Sequence, residues 1–233
     1  GSLSDSRMLG NRLYTVTTDW SAYYAAENTS GSEVKGNTKL SQCLILPNGS
    51  QESGEVHTLP LFAGSALIAA GNDWLAVSTN QWGSGSGSSQ INLFSLDDNG
   101  ASPLTNAPIK TSGWVYDKFK ISYQNQCLSV VSVSYENNAA SGRWWSPVTK
   151  LENFDVDGNL LASLEIIRDE QLHATRFTGG KMYAVTFLHH DPLWVVDLAD
   201  SRNPVISGKL EIPGFSTYLE PIGEKGEFLF AIG

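Results

Sequence analysis

The sequence predicts an all-β fold, a β-propeller or an arc of one, built from four-stranded antiparallel blades. One hairpin pattern, a short strand followed by a Gly- or Asn-containing turn and an alternating strand, occurs five times. A second hairpin pattern occurs four times between these copies, so the two patterns alternate strictly. Repeats of this kind, at a spacing of roughly 45 to 60 residues, are typical of propeller blades.

The first hairpin pattern is clearest in two stretches that resemble each other. RMLGNRLYTVTT begins at Arg7 and RFTGGKMYAVTF begins at Arg176. The other copies are ALIAAGNDWLAVST (66–79), KFKISYQNQCLSVVSVSY (118–135) and YLEPIGEKGEFLFAIG (218–233). A single four-stranded blade cannot bury both of its faces, so neighbouring blades must stack, and equivalent hairpins meet the same packing demand.

The second hairpin pattern is recognised by its turns. They fall at Asn48-Gly49, Asn99-Gly100, Asp157-Gly158 and Ser201 to Pro204. These residues tolerate positive φ or pre-set a turn, as hairpin connections require. Helix signals are almost absent, and SAYYAAENT (21–29) is the only stretch with a plausible helical turn.

The repeats divide one propeller domain, or a fragment of one, spanning residues 1–233. Four complete blades are expected at about 3–63, 64–116, 117–170 and 171–213, and residues 214–233 form the first hairpin of a fifth. The opening Gly1-Ser2 indicates a processed or engineered piece. The outer strands of the fifth blade would lie outside this sequence or be supplied by the N-terminal strand as a clasp. An arc that stays open would favour self-association through its sheet edges.

Charge and composition exclude several classes of partner. The net charge is −9, and no Lys/Arg cluster is present that could neutralise phosphates, so nucleic acid is not expected as a partner. No apolar run approaches the roughly 18 residues of a spanning helix, so no membrane insertion is expected. Cys43 and Cys127 do not form a CxxC pair, and both lie in strand-like runs. We expect two buried free thiols, and neither a cofactor nor a metal site.

The stretch from His173 to Gly233 resembles the secreted bacterial and archaeal proteins that contain a C-terminal β-propeller domain, an uncharacterised family. RFTG, YAVTF, DPLWVVDL, an Asn-Pro turn, IPGFSTYL and a closing AIG strand follow here in the family's order. SLSDSRMLGNRLYTVTT at the front is also similar to the family's first propeller strands. The family commonly has His-Pro after the Tyr-Leu pair, where this chain has Glu220-Pro221. The resemblance implies a propeller fold and an extracytoplasmic location, whether secreted, periplasmic or at the cell surface.

Loop lengths indicate which face of the propeller carries function. The turns between strands one and two and between strands three and four are short, which predicts one nearly bare face. Long loops between strands two and three, and the crossings between blades, are rich in aromatic residues that could contact sugars or a protein. The predicted ligand or partner residues are Trp20, Tyr23, Tyr24, Trp82, Trp114, Tyr116, Trp144, Trp145, His189, His190 and Tyr218. The alternative is that these loops fold back and bury their own aromatic side chains.

Polar residues on the same face carry the other functional possibilities. His189, His190 and Asp191 could approach a metal, but adjacent residues at a strand end tend to point in opposite directions. Five carboxylates at strand ends could line the channel mouth, as in glycoside hydrolases: Asp19, Asp117, Glu136, Asp169 and Asp191.

These observations lead to two hypotheses about function. The first is a non-catalytic extracytoplasmic binding or scaffold propeller that presents its aromatic loop face to a protein or glycan. The alternative is a propeller hydrolase that cleaves glycosidic bonds with the channel-mouth carboxylates.

Overall fold

The computed structural model describes residues 1–19, 37–59, 65–81, 87–138, 143–187, 191–212, 217–223 and 228–232. The chain forms two compact units, Gly1–Thr111 and Ser112–Gly233. The described residues contain β-strands and one 3₁₀ turn but no α-helix. The predicted stretch 21–29 lies outside the described residues.

The first unit contains two antiparallel sheets. In the first sheet the spatial order follows the chain: β1 (Ser2–Leu9), β2 (Arg12–Asp19), β3 (Asn37–Ile45) and β4 (Gln51–Leu59). The second sheet consists of β5 (Ala66–Ala70), β6 (Trp74–Gln81), β7 (Ser88–Asp97), β8 (Gly100–Pro103) and β9 (Ile109–Lys110). Both β8 and β9 pair with β7.

The fourth strand of the second sheet is therefore split in two. Pro103 ends β8 and Pro108 precedes β9. Proline has no N–H group to donate to a ladder, and it disfavours continuous pairing at both positions. The sheet keeps a four-strand width, although its outer edge is interrupted.

The core of the first unit lies between its two sheets. Tyr14, Val16 and Leu40 pack against Leu75 and Phe94 of the second sheet. Burial of such side chains contributes about 1.5–3 kcal/mol each. Two polar contacts also join the sheets. The Asp5 Oδ2 atom accepts a hydrogen bond from the Ile68 N–H group at 2.8 Å, and the Gln42 Oε1 atom accepts one from the Ala101 N–H group at 3.0 Å.

The second unit contains two four-stranded sheets and a hairpin. The third sheet has the order β10 (Ile121–Gln124), β11 (Cys127–Asn138), β12 (Arg143–Phe154) and β13 (Leu160–Arg168). The fourth sheet has the order β14 (Gln171–Thr178), β15 (Lys181–Phe187), β16 (Asp191–Asp197) and β17 (Val205–Ile212). The hairpin consists of β18 (Tyr218–Ile222) and β19 (Phe228–Ile232).

Apolar side chains fill both sides of the fourth sheet. Val131 and Leu151 of the third sheet pack against Met182 and Val196 on one side. Ala174, Val185 and Leu193 pack against Leu219 of the terminal hairpin on the other side. The predicted fold class, four-stranded antiparallel propeller blades followed by a first hairpin, is confirmed.

The two similar hairpins match residue for residue in their pairing. Arg7 pairs with Tyr14 in the first sheet, and Arg176 pairs with Tyr183 in the fourth. A register shift also falls at the same place, between Leu3 and Asp5 and between Leu172 and Ala174. The repeat therefore extends to the β-bulge, which re-aims side chains in the innermost strand of each sheet.

The innermost strand of the third sheet is interrupted by a 3₁₀ turn, Lys118–Lys120. Before this turn, the Trp114 N–H group donates to the Val133 carbonyl oxygen at 2.8 Å, and the Val133 N–H group donates back at 3.0 Å. After the turn, Ile121 pairs with Val130. Trp114, which the sequence placed in a crossing between blades, is thus paired along the inner edge of the third sheet.

The N-terminal strand belongs to the first sheet. β1 is the first strand of the first sheet and pairs with β2 along its whole length. Among the described residues, the terminal hairpin has two strands. Cys43 and Cys127 are both free thiols, as predicted, although Cys43 is only partly buried. Burial raises the pKa of the Cys127 thiol.

Candidate functional site

Aromatic residues gather at the end of the third sheet where β11 finishes. The Trp114 ring lies 6.1 Å from the ring of Tyr116 and 6.1 Å from the ring of Tyr135, measured between centroids. The first contact is edge-to-face, which is a favourable geometry for aromatic pairs. Because Trp114 is also fixed by its two backbone hydrogen bonds to Val133, this group is held rigidly on the sheet.

Tyr116 is held in place yet accessible. Burial of its hydroxyl group and a hydrogen bond to Tyr135 raise the pKa of Tyr116 above its ordinary value, so the hydroxyl stays protonated. The residue as a whole is nevertheless 48% exposed. One part of the ring is therefore anchored and another part is open to a ligand.

Trp145 lies on the neighbouring strand at the same end of the third sheet. Tyr135 pairs with Pro147 across the ladder, and Trp145 precedes Pro147 by two residues. Trp145 therefore lies at the same end of the third sheet as Tyr135, beside the register shift between Glu136 and Asn138. Trp145 is 64% exposed. We call Trp114, Tyr116, Tyr135 and Trp145 the aromatic platform.

The opposite face of this strand end carries an ion-pair network. The Glu136 carboxylate accepts from the Arg168 guanidinium at 2.9 Å and lies 3.4 Å from Lys150 Nζ. Arg168 also pairs with Glu165 at 2.8 Å. The hydrogen bond from Arg168, followed by the interaction with Lys150, holds the pKa of Glu136 below its usual value. Glu136 is therefore ionised at neutral pH and engaged by two cations.

A second cluster joins the innermost strands of the third and fourth sheets to the terminal hairpin. Arg176 pairs with Glu220 and stacks over the Phe119 ring at 4.6 Å. The Tyr218 hydroxyl donates to Glu220 at 2.6 Å, and the Tyr218 ring meets the Phe119 ring edge-on at 5.8 Å. We call Phe119, Arg176, Tyr218 and Glu220 the inner cluster. It borders a cavity of about 170 Å³.

Asp117 is engaged beside this cluster. Its side chain accepts from the Phe119 N–H group at 2.9 Å and pairs with the buried ammonium of Lys120. Asp117 thereby caps the 3₁₀ turn and neutralises a buried cation, which explains an acid at this position.

The structure brings together only some of the predicted ligand residues. Trp114, Tyr116 and Trp145 share the aromatic platform, whereas Tyr218 belongs to the inner cluster. Trp20, Tyr23, Tyr24, Trp82, His189 and His190 lie outside the described residues, as does the side chain of Trp144. Sequence reasoning missed Tyr135, although its place at the end of a long alternating strand signalled it. It also missed Arg176 and Phe119.

A cavity of about 620 Å³ lies at the short-turn end of the first unit, which the sequence predicted to be bare. Leu9, Tyr14, Leu44 and Leu96 contribute its apolar part. Its polar lining includes Arg12, which donates to the Asp98 carbonyl oxygen at 2.7 Å. Short turns at this end occur together with a cavity, because two twisted sheets leave space between their hairpins.

Two further classes of site were sought among the described residues. No group of three or more His, Cys, Asp or Glu side chains there is arranged to hold a metal ion. The same part of the chain contains no helix long and apolar enough to cross a membrane.

Comparison with known proteins gives the family. A model of the family described as "Beta propeller domain" matches residues 61–233, which is most of the chain. The chain belongs to the β-propeller domain family.

Two curated archaeal relatives of this propeller are both uncharacterised. The one from Methanocaldococcus jannaschii is 36% identical over 119 residues, covering 49% of this chain and 18% of that protein. The one from Archaeoglobus fulgidus is 50% identical over 56 residues, covering 24% and 9%. The matched stretches thus span less than a fifth of either relative.

Solved structures resemble this propeller only distantly. The apocarotenoid oxygenase of Synechocystis has a TM-score of 0.46 and 13% identity, covering 93% of this chain and 50% of that one. A chimera of this oxygenase and RPE65 has a TM-score of 0.48 and 13% identity, covering 97% and 54%. Likeness at this level carries no argument about the chemistry of this chain.

Proposed function

We propose that this chain is a non-catalytic, extracytoplasmic binding propeller whose aromatic platform takes a glycan. The proposal rests on one observation: some rings of the platform are held in place by contacts, while others are exposed to solvent. Trp145 and Tyr116 are open to solvent, while Trp114 and Tyr135 hold the base of the platform in place. Flat, pre-ordered rings suit the C–H faces of sugars because little side-chain entropy is lost on contact.

The proposal does not depend on the ion-pair network of Glu136, Arg168 and Lys150, because these residues lie on the opposite face of the strand end and pair with one another. A protein partner remains the other reading of an exposed aromatic surface, since tryptophan and tyrosine are also enriched at protein interfaces. Titration with polysaccharides distinguishes the two, because a glycan site should bind some of them and a surface for protein alone should bind none.

The hydrolase alternative has less support. A glycosidase needs one carboxyl group with a raised pKa to act as acid, beside an ionised partner. Glu136 has a lowered pKa because Arg168 and Lys150 stabilise its charge, and Asp117 is committed to Lys120. Glu136 is therefore poorly suited to donate a proton at neutral pH, and Asp117 is occupied by its contact with Lys120.

The test is calorimetric titration of the whole chain with a panel of soluble neutral and acidic polysaccharides. Trp145→Ala should weaken binding about tenfold or more, which corresponds to about 1.4 kcal/mol or more. Phe228→Ala is the matched control, because Phe228 is equally an exposed aromatic residue but lies in the terminal hairpin. Binding that is unchanged by Trp145→Ala, or absent for every polysaccharide, would contradict the glycan proposal. A protein that binds only when Trp145 is present would replace the glycan with a protein partner.

The extracytoplasmic location rests on the resemblance to secreted proteins. Cell fractionation of a source organism, followed by immunodetection of the native protein, should find it outside the cytoplasmic fraction. Recovery in the cytoplasm alone would contradict this part of the proposal.

A further inference from the structure

The cavity at the short-turn end of the first unit has the size of a small-molecule site. Its volume of about 620 Å³ falls within the range of roughly 300–1,000 Å³ that is usual for such sites. One wall is formed by the hairpin of β1 and β2, and the other by the turns Gly71-Asn72 and Asp97-Asp98 of the second sheet. All of its lining residues belong to the first unit, so the cavity is a different site from the aromatic platform.

Tyr14 contributes a buried hydroxyl group to this cavity. The residue lines the cavity and is only 2% exposed. Burial raises the pKa of Tyr14, while the charge of Arg12 lowers it and that of Asp97 raises it, so the hydroxyl lies near both of these cavity-lining residues. Among the described residues, none forms a hydrogen bond with this hydroxyl. A buried hydroxyl needs a partner, which water or a ligand inside the cavity would supply.

Arg12 contributes a cation that lies between the two sheets. It belongs to β2, and its Nη2 group donates to the Asp98 carbonyl oxygen at 2.7 Å, beyond the end of β7. Within the described part of the chain, Arg12 forms no ion pair with a carboxylate. Since a guanidinium group has five N–H donors, Arg12 can still bind a carboxylate of a ligand while it keeps this contact.

Two carboxylates, Asp97 and Asp98, line the opposite wall. The Asp97 Oδ1 atom accepts from the Asn99 and Gly100 N–H groups at 2.7 Å and 3.1 Å, which fixes this carboxylate on its own turn. Neither acid is paired with a cation of the described residues. These charges would repel a ligand that is only an anion, and they would attract a ligand that also carries an ammonium group.

The remaining lining is partly apolar. Leu9, Leu44 and Leu96 are partly buried, and Leu9 and Leu96 pack against the core of the first unit. An apolar group that covers these side chains would remove their exposed surface from water, which favours binding. We call Leu9, Leu44 and Leu96 the leucine wall.

We propose that this cavity binds a zwitterionic small molecule with an apolar body, of the class of apolar amino acids and their dipeptides. The ligand carboxylate accepts from the Arg12 guanidinium and the Tyr14 hydroxyl. The ligand ammonium group faces Asp97 and Asp98, and the apolar side chain contacts the leucine wall. The site thereby supplies a partner for each charged or polar group of the ligand.

The probes are leucine, phenylalanine and leucyl-leucine, each titrated calorimetrically into the whole chain at pH 7 and low ionic strength. We expect saturable binding of at least one of them. The carboxamide of that probe lacks the carboxylate, and its N-acetyl derivative lacks the ammonium group. Each derivative should bind about tenfold more weakly, because one charged contact is lost.

Two variants test the carboxylate end of the site. Tyr14→Phe removes only the hydroxyl, and Arg12→Gln removes the charge; each should weaken binding about tenfold. The matched controls are Tyr183→Phe and Lys181→Gln, at the equivalent positions of the hairpin of β14 and β15, and they should bind like the parent. Circular dichroism and thermal melting confirm that each variant is folded, and Tyr14→Phe keeps the test valid should Arg12→Gln shift the hairpins.

A third variant tests the ammonium end. Asp98→Asn keeps the backbone carbonyl that Arg12 contacts but removes a carboxylate from the cavity. It should weaken binding of the zwitterionic probe several-fold and should not weaken binding of the N-acetyl derivative. Asp157→Asn, in the corresponding turn of the third sheet, is the control.

The proposal is overturned if none of the three probes binds saturably, or if Tyr14→Phe and Arg12→Gln both leave binding unchanged. An N-acetyl derivative that binds as tightly as its parent would show that the ammonium group is not recognised, and would replace the zwitterion with a simple carboxylate.

Discussion

Gly113 shows how one residue fixes the base of the aromatic platform. A Cβ atom at this position would lie 2.5 Å from the carbonyl carbon of Val133 and 2.7 Å from the nitrogen of Ser134. Backbone atoms cannot give way as a flexible side chain can. Only glycine lets the chain approach β11 closely enough for the neighbouring Trp114 to pair with Val133.

We therefore expect Gly113→Ala to destabilise the protein by roughly 2 kcal/mol, because either the Trp114 pairing or the β11 backbone must shift. Urea unfolding monitored by circular dichroism measures the change in the free energy of unfolding. Gly208→Ala is the matched control: its Cβ would lie 3.9 Å from the Val195 Cβ atom, an ordinary contact. Equal stability of the two variants would show that the close approach is not needed.

The contacts of Glu220 give a role to a residue at which this chain differs from the family that it resembles. The resembling family commonly has histidine at this position, and here the residue is the partner of Arg176 and the acceptor of the Tyr218 hydroxyl. The ion pair joins residues 44 positions apart in the chain. Such a pairing has no local pattern, because it depends on the stacking of one innermost strand on the next.

At the scale of elements, Arg176 and Glu220 connect the fourth sheet to the terminal hairpin. Arg176 is mostly buried and also stacks on Phe119, so the pair should contribute more than an exposed one, about 1 kcal/mol. Glu220→Gln should therefore speed amide hydrogen exchange in β18 and β19 by about fivefold, since local opening becomes easier. Exchange in β1 and β2 should not change.

A double-mutant cycle completes that test. Arg176→Met retains much of the side-chain volume but removes the charge, and the cycle with Glu220→Gln isolates the coupling between the two groups. Additive effects on the exchange of β18 and β19 would mean that the two residues act independently, and the hairpin would then be held by its apolar contacts alone.

Hairpins could be predicted from this sequence because their signals are local. Alternation and positive-φ turns lie within a few residues, and the turn before β2 has Gly10 at φ 57° as its sequence indicates. The interruptions could not be predicted in the same way. The 3₁₀ turn at Lys118–Lys120 depends on Asp117 capping and on the buried Lys120, and β8 and β9 are separated although the turn before β8 was identified correctly.

Part of the aromatic platform could be predicted from local sequence signals, and part of it could not. Loop composition identified Trp114, Tyr116 and Trp145, because aromatic residues in polar segments stand out. Tyr135 belongs to a regular strand and became part of the site only through pairing with Pro147 and contact with Trp114. Tyr218 carries the same composition signal as the others, yet its strand places it against Phe119 and Arg176. Amino-acid composition indicates candidate site residues, and strand register determines which of these residues contact one another.

At the scale of the whole molecule, negative charge and exposed apolar surface have opposite effects on association between copies of the chain. The net charge of −9 keeps copies apart at neutral pH, whereas near the isoelectric point of about 4.8 this repulsion vanishes. Apolar surface then controls association, and the outer face of the terminal hairpin is rich in it, with Phe228 and Phe230 the largest side chains.

We expect the double variant Phe228→Ser, Phe230→Ser to be several-fold more soluble than the parent at pH 4.8 and little changed at pH 7.5. These substitutions leave the net charge untouched, so any difference reports apolar contact alone. Solubility is measured at low ionic strength and both pH values, as the protein concentration that stays in the supernatant after concentration and centrifugation. A second series with added sodium chloride tests whether screening of the repulsion restores the association at pH 7.5. The control is Val56→Ser, Leu160→Ser, which removes two other exposed apolar side chains. If the control gains as much solubility as the hairpin variant, association depends on total exposed apolar area and the hairpin has no special part in it.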